Sequence, residues 1–277
     1  MEKCLAFVLG GGGSRGALQV GALRALFEAG YEPDLLVGTS IGAANVAGLA
    51  VWGVDVDGVA VLEKVYQSVA EGRLMDPPGR LVWHTISGRP FHTSKRAREF
   101  LISAGFTPDL SFDQIHNVRL GLVGADMCSG QPLIFGLDPA QSVLEGLLAS
   151  CAIPPWFAPI ENDDQFIVDG GALSNLPIEP ALIMGATEII ALDLRVSPNS
   201  SKTTNRLSQL EKSVSAFMKR EIYLEIALAQ AKGVPVHYMH LQCFPPIQVW
   251  DFSTYRSLFE IGYETASKDI SNWKQIG

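Results

Sequence analysis

Within its first 52 residues the chain twice repeats one pattern: an apolar strand, a tight glycine-bearing turn, then a helix. Residues 4–9 are continuously apolar and short enough for a buried strand, and Gly10 to Gly13, Ser14, Arg15 and Gly16 follow at once. From Ala17 to Ala29 the apolar positions Leu18, Ala22, Ala25, Leu26 and Ala29 recur at spacings of three and four, which predicts a helix stopped by Gly30. Residues 34–38 predict a second short strand, and Ile41 to Trp52 a helix of small residues behind it. Strands joined through helices pair in parallel by right-handed crossovers, so the opening commits the chain to an α/β sheet.

The rest of the chain extends that sheet. Helices are predicted over 57–71, Ser94 to Ala104, 139–150, Pro177 to Met184, 206–231 and 253–274. Strands are predicted over Val118 to Asp126, Pro132 to Phe135, a short segment ending at Val168-Asp169, Glu188 to Leu192, and 235–241. Ser129-Gly130 between the first two of these predicts a hairpin. A loop rich in Pro, Gly and aromatics (Pro77, Pro78, Trp83, His84, Phe91) and a polar stretch at 197–205 read as irregular segments, the second a flexible surface loop. Nothing demands a boundary, so residues 1–277 are expected to form one domain, with 72–115 as a lid or pocket-wall insertion.

Composition excludes several classes of function. A net charge of −8 argues against nucleic acid as partner and against electrostatic docking to anionic membranes, but leaves room for transient membrane contact through apolar side chains. Cys4, Cys128, Cys151 and Cys243 lie far apart, which disfavours a zinc site or a disulfide framework. No metal cluster is visible, so neither a metal nor a cofactor is expected. Residues 35–54 carry no charge and taken alone resemble a membrane span; Thr39, Ser40, Asn45 and four glycines fit a buried strand-turn-helix better. With residues 4–9 read as a strand rather than a leader, the expectation is a soluble cytoplasmic enzyme.

The glycine run admits three readings. Gly11-x-Gly13-x-x-Gly16 matches the dinucleotide fingerprint, but the second strand ends in Gly38-Thr39-Ser40 where that fold wants an acidic residue. A P-loop fails because no Gly-Lys-Ser/Thr follows. A ligand-free turn is the second reading, though four consecutive glycines fit it less well, since each weakens local order unless positive φ or close backbone approach is needed. The third reading is an oxyanion hole built from bare backbone N–H groups at a helix N-terminus.

Gly38-Thr39-Ser40-Ile41-Gly42 between a strand and a helix has the form of a nucleophile elbow, in which the flanking glycines permit a sharp turn and expose the serine. A serine needs a base. His237 and His240 lie on a predicted strand, on opposite faces by their odd spacing, and not in the loop after a strand where such a base belongs. They read as structural, as do His84, His92 and His116. Asp169 is the alternative: it ends an apolar strand and precedes Gly170-Gly171, either as a turn residue or as a site residue at the carboxyl edge of an open sheet.

Taken together these segments resemble the patatin-like phospholipase family. Gly11-Gly12-Gly13-Ser14-Arg15-Gly16 is similar to its glycine-rich block, and Gly38-Thr39-Ser40-Ile41-Gly42 to its elbow. Ala149-Ser150-Cys151-Ala152-Ile153-Pro154, Asp169-Gly170-Gly171 and Asn175-Leu176-Pro177 follow in the family's order. The similarity covers roughly residues 4–195. The resemblance implies a three-layer α/β/α fold with a mostly parallel central sheet. It also implies a Ser40–Asp169 dyad with no catalytic histidine, and an oxyanion hole from Gly11, Gly12 and Gly13. Arg15 would brace the glycine loop, or attract a phosphate head group; Gly38, Gly42, Gly170 and Gly171 would support the turns.

The expected activity is hydrolysis of lipid carboxylic esters, of lysophospholipase, phospholipase A or esterase type, through an acyl-Ser40 intermediate. Transfer of the acyl group to another acceptor, and a weakly active regulatory or binding protein, are the competing readings. Trp83, Phe91, Trp250 and Phe252 are candidates for an apolar rim or a subunit contact; oligomeric state is left open by the residues.

Overall fold

The computed structural model describes residues 3–72, 92–154, 156–161, 164–196 and 206–276. In chain order the strands are β1 (Leu5–Leu9), β2 (Leu35–Thr39), β3 (Arg119–Asp126), β4 (Gln131–Phe135), β5 (Ile160–Glu161), β6 (Phe166–Asp169), β7 (Glu188–Asp193) and β8 (Val236–His240). The helices are α1 (Gly16–Glu28), α2 (Ile41–Trp52), α3 (Val56–Gly72), α4 (His92–Ser103), α5 (Val143–Ser150), α6 (Ile178–Ile183), α7 (Arg206–Ala231) and α8 (Tyr255–Ile276). The aromatic loop with Trp83 and Phe91, and the polar stretch at 197–205, lie outside the described residues.

The strands form one mixed sheet in the order β5-β6-β3-β2-β1-β7-β8, with β4 pairing β3. From β3 through β2, β1 and β7 to β8 every pairing is parallel, which the strand-turn-helix opening predicts. Both faces are covered. Along β1, Phe7 and Leu9 join a core with α1, α2, α3 and α8, while Ala6 and Val8 join a second core with α6 and α7. Period-two alternation thus feeds two apolar layers, and strands buried on both faces read as unbroken apolar runs.

Residues 35–54, the apparent membrane span, are β2, the turn and α2 in the interior. Among the described residues no helix is long and apolar enough to cross a membrane. The helix expected over 139–150 starts only at Val143. Asp138 holds residues 138–141 in a turn instead, its Oδ1 accepting from Ala140 N–H (3.0 Å) and its carbonyl from Gln141 N–H (3.2 Å). The two-residue strand β5 has no sequence signal of its own.

The antiparallel strands place the site. At Leu122 and Gly124 of β3, β4 pairs on one edge. β2 pairs with residues 119–123 of β3, and β6 with 124–126, so both occupy the other edge. β2 runs up that edge and β6 runs down it. Their carboxyl ends therefore meet head-on, Thr39 opposite Val123 and Asp169 opposite Gly124.

Candidate active site

Ser40 follows the last residue of β2 and has φ +57° and ψ −124°, the only positive-φ residue other than glycine among those described. A β-carbon in that region is costly, and such strain is retained where the surroundings over-determine it. Here they do. Ser40 N–H donates to Ser150 Oγ at 2.9 Å, and Ser150 Oγ donates to the Val123 carbonyl at 2.6 Å. The Ser40 carbonyl accepts from Ala44 N–H (3.1 Å) inside α2 and from Cys151 Sγ (3.4 Å). Thr39 Oγ1 donates to the Ser174 carbonyl at 2.8 Å.

Close approach explains the flanking glycines. A β-carbon on Gly42 would fall 2.2 Å from the Leu9 carbonyl oxygen, and one on Gly38 would fall 2.5 Å from the Gly42 carbonyl. Beyond Asp169 the same holds for Gly170, where a β-carbon would lie 2.2 Å from the Val123 carbonyl oxygen and 3.0 Å from Thr39 Cγ2. Elbow and Asp-Gly-Gly turn are thus packed backbone to backbone.

The Asp169 carboxyl is buried. Oδ1 accepts from Gly171 N–H at 2.8 Å. Oδ2 is out of water with no hydrogen bond to any described residue, although the Ser40 hydroxyl is near enough to favour the charged form. Burial pushes the carboxyl up to about 6, against the opposing effects of the Ser40 hydroxyl and Gly171 N–H. A carboxyl so placed is ionised at neutral pH yet a far better proton acceptor than an ordinary aspartate.

The glycine turn lies beside both. A β-carbon on Gly11 would come within 3.2 Å of Ser40 Cβ and 2.8 Å of Asn175 Oδ1. The expected three-donor cradle is narrower than the sequence suggests, because Gly11 N–H already donates to the Asn175 carbonyl at 3.0 Å. Gly12 and Gly13 N–H have no partner among the described residues, and both glycines are only partly buried. The turn is held from behind by a buried polar chain. Tyr66 OH donates to Asn45 Oδ1 (3.1 Å), Asn45 Nδ2 to Gln19 Oε1 (2.9 Å), and Gln19 Nε2 to the Gly10 carbonyl (2.8 Å). Arg15 Nε donates to the Gly12 carbonyl at 3.0 Å.

Ser40, Asp169, Gly11, Gly12, Gly13 and Asn175 all line one cavity of about 940 Å³. Its remaining walls are overwhelmingly apolar and include Trp52, Leu62, Val65, Tyr66, Leu101, Phe106, Leu148, Ile153, Trp156, Phe157 and Ile160. Phe252 lines it too, and Trp250 stacks on Trp156 with ring centroids 5.8 Å apart. Helix α4 and the segment after it, inside the expected 72–115 insertion, supply part of this wall.

No histidine among the described residues lines the cavity. His237 Nε2 pairs with Glu188 Oε1 (3.0 Å), and His240 Nε2 with the Arg195 carbonyl (2.7 Å). Among the described residues no group of three His, Cys, Asp or Glu side chains is placed to hold a metal ion. Ser150 and Asn175 are the parts that residue-level reading missed. Both sit inside segments it singled out, but their tasks depend on contacts across 110 and 164 positions of chain.

Comparison with known proteins follows the same residues. The model of the patatin-like phospholipase family matches residues 7–182. A lysophospholipase NTE1 of Meyerozyma guilliermondii is 25% identical over 302 residues, covering 100% of this chain and 20% of its own length. An uncharacterized NTE family protein of Mycobacterium bovis is 32% identical over 195 residues, covering 70% of this chain and 30% of its own. The chain thus spans about a fifth to a third of the length of these relatives. Among solved structures, VipD from Legionella pneumophila aligns with a TM-score of 0.51 at 14% identity, over 98% of this chain and 67% of that one. At that identity the likeness is one of fold.

Proposed function

This chain belongs to the patatin-like phospholipase family, and on that premise we propose that it is a serine acyl hydrolase of lipid carboxylic esters. Ser40 is the nucleophile and Asp169 the base. The observation that carries the reading is the shared position of the strained Ser40 and the buried, proton-avid Asp169 carboxyl in one apolar cavity.

The reaction follows from the atoms. With Oδ1 held by Gly171 N–H, Asp169 Oδ2 takes the Ser40 hydroxyl proton as Oγ bonds to the ester carbonyl carbon. The carbonyl π electrons move to oxygen, and Gly12 and Gly13 N–H stabilise the resulting oxyanion. Collapse breaks the ester C–O bond, and the alcohol leaves with the proton from Asp169. Water then attacks the acyl-Ser40 carbonyl and gives a proton to Asp169, which returns it to Ser40 Oγ as the fatty acid departs.

At about 940 Å³ the cavity is near the top of the ~300–1,000 Å³ range usual for small-molecule sites. Its apolar walls suit an acyl chain. Transient contact with a membrane surface belongs to the same reading, since Phe217 is 74% exposed beside Met218, which lines the cavity. The test is Ser40→Ala, assayed on lysophosphatidylcholine and by fluorophosphonate labelling. Both signals are expected to vanish, and retained labelling overturns the assignment.

A further inference from the structure

The three catalytic segments share one hub. Ser174-Asn175 accepts from Thr39 Oγ1 at the Ser174 carbonyl (2.8 Å) and from Gly11 N–H at the Asn175 carbonyl (3.0 Å). Ser174 N–H donates to the Gly170 carbonyl at 2.8 Å. One dipeptide is therefore bonded to the residue before the nucleophile, to the first residue of the cavity-lining glycine turn, and to the residue after the base.

That hub is fastened from outside the sheet. Glu225 of α7 is buried, with Oε1 accepting from Ser174 Oγ at 2.7 Å and Oε2 from Glu179 N–H at 2.8 Å. Both ends of the segment from Ser174 to α6 hang on one carboxylate. One turn earlier on α7, Glu221 turns its carboxyl into the same interior, with both oxygens out of water and in no ordinary hydrogen bond to a described residue.

We propose, resting on the Ser40–Asp169 reading, that Glu225 is a positioning residue which, with Glu221 beside it, clasps Ser174-Asn175 and so sets the mutual reach of nucleophile, base and oxyanion turn. Removing the clasp leaves each catalytic group in place on its own strand end. What is lost is their common register, where displacements of a fraction of an ångström suffice to slow chemistry.

Two buried carboxyls this close resist ionising together. Burial and the neighbouring Glu225 push Glu221 up to about 10, and burial raises Glu225 as well. The other ionisable group acting on the pair is Asp193 of β7, itself held by Arg195 (3.1 Å) and by Tyr238 of β8 (2.5 Å). Glu179 of α6 meets it through its backbone N–H. Ionisation of both sets two carboxylates against each other behind the hub.

The experiment compares Glu225→Gln, Glu225→Ala, Ser174→Ala and Glu221→Gln with wild type, by ester kinetics and by fluorophosphonate labelling rate from neutral pH to about 10.5. Glu225→Ala and Ser174→Ala are expected to lower kcat and labelling rate together, by about tenfold to a hundredfold, with KM within about twofold. Glu225→Gln is expected to recover part of the loss. Wild type is expected to lose labelling rate as pH rises through about 10, and Glu221→Gln, fixed in the uncharged form, to lack that fall. Native Tm in Ser174→Ala and Glu225→Gln with rates equal to wild type overturns the clasp, even where Glu225→Ala fails to fold. Labelling that survives Ser40→Ala instead overturns the underlying active-site reading, whatever the Glu225 variants do.

Discussion

Ser40 N–H donates to Ser150 Oγ at 2.9 Å, and this bond ties the strained residue after β2 to one 110 positions away. Ser150 is fully buried, and its own proton goes to the Val123 carbonyl. One hydroxyl thus locks the elbow to the strand that also carries β6. Ser150→Ala removes the acceptor and leaves the part-buried Ser40 N–H unpaired, at the one positive-φ non-glycine residue described. The expected cost is about 1–3 kcal/mol of stability. Freed from its register, Ser40 is also expected to lose about tenfold to a hundredfold in kcat. Thermal unfolding and ester kinetics on the same preparation check both.

The elbow glycines make a sharper stability prediction. A β-carbon on Gly42 meets a backbone oxygen at 2.2 Å, and no side-chain rotation relieves that contact. Gly42→Ala is expected to destabilise by about 3 kcal/mol or more, at the upper end for overpacking. Gly72, at the end of α3, has nothing within 4 Å of its would-be β-carbon. Gly72→Ala is expected to be neutral or to stabilise by up to about 1 kcal/mol. Denaturant midpoints of the two variants against wild type decide the comparison.

How much of this was legible in the sequence depends on the range of each interaction. The boundaries of α2 and α7 follow directly from local patterning, as do the parallel strands β1, β2, β7 and β8, because apolar runs and glycine stops act over a few residues. Ser40 and Asp169 stand out in the sequence for a related reason: each sits where a strand ends in a glycine-rich turn, and both turns leave a local mark. What was hidden is pairing. That β2 and β6 meet head-on along one edge of β3 follows from sheet register, on which single-segment periodicity is silent. Gly11 looked like an oxyanion donor because a glycine run advertises bare N–H groups without saying which are taken. The claim of Asn175 on Gly11 N–H comes from a chain segment 164 residues on. Glu221 and Glu225 carry no local mark within a long helix, and only the packing of α7 against α6 reveals them as interior groups.

Asp169 gives the pH dependence a definite sign. Its folded pKa of about 6 lies above the 3.8 of a free aspartate, so activity requiring the carboxylate is expected to rise about tenfold per pH unit below 6 and to level off above about 7. Stability runs the other way. The folded protein holds this proton between about pH 4 and 6 while the unfolded chain has lost it, so the associated stability is full below about 4 and is lost as pH rises through 6. Asp169→Asn is expected to abolish turnover and to flatten this part of the Tm-against-pH curve. A kcat/KM profile and melting curves from pH 4 to 8 test the two limbs separately.

The cavity makes a prediction about chain length. Val65 of α3 lines it in company with Leu62, Leu101 and Phe106. It is half-buried, so a larger side chain there projects into the cavity without displacing a fully enclosed core residue. Val65→Trp is expected to shorten the space available to an acyl chain while leaving Ser40, Asp169 and the glycine turn unchanged. Each methylene forced out of the apolar wall forfeits about 0.8 kcal/mol of transfer free energy, close to a fourfold loss in kcat/KM. Four methylenes displaced therefore cost palmitoyl esters more than a hundredfold, whereas butyryl esters, with far fewer methylenes to be displaced, are expected to react close to the wild-type rate. Nitrophenyl esters from butyryl to palmitoyl measure the crossover. An unaltered chain-length profile in a folded Val65→Trp variant would mean that the acyl chain lies elsewhere.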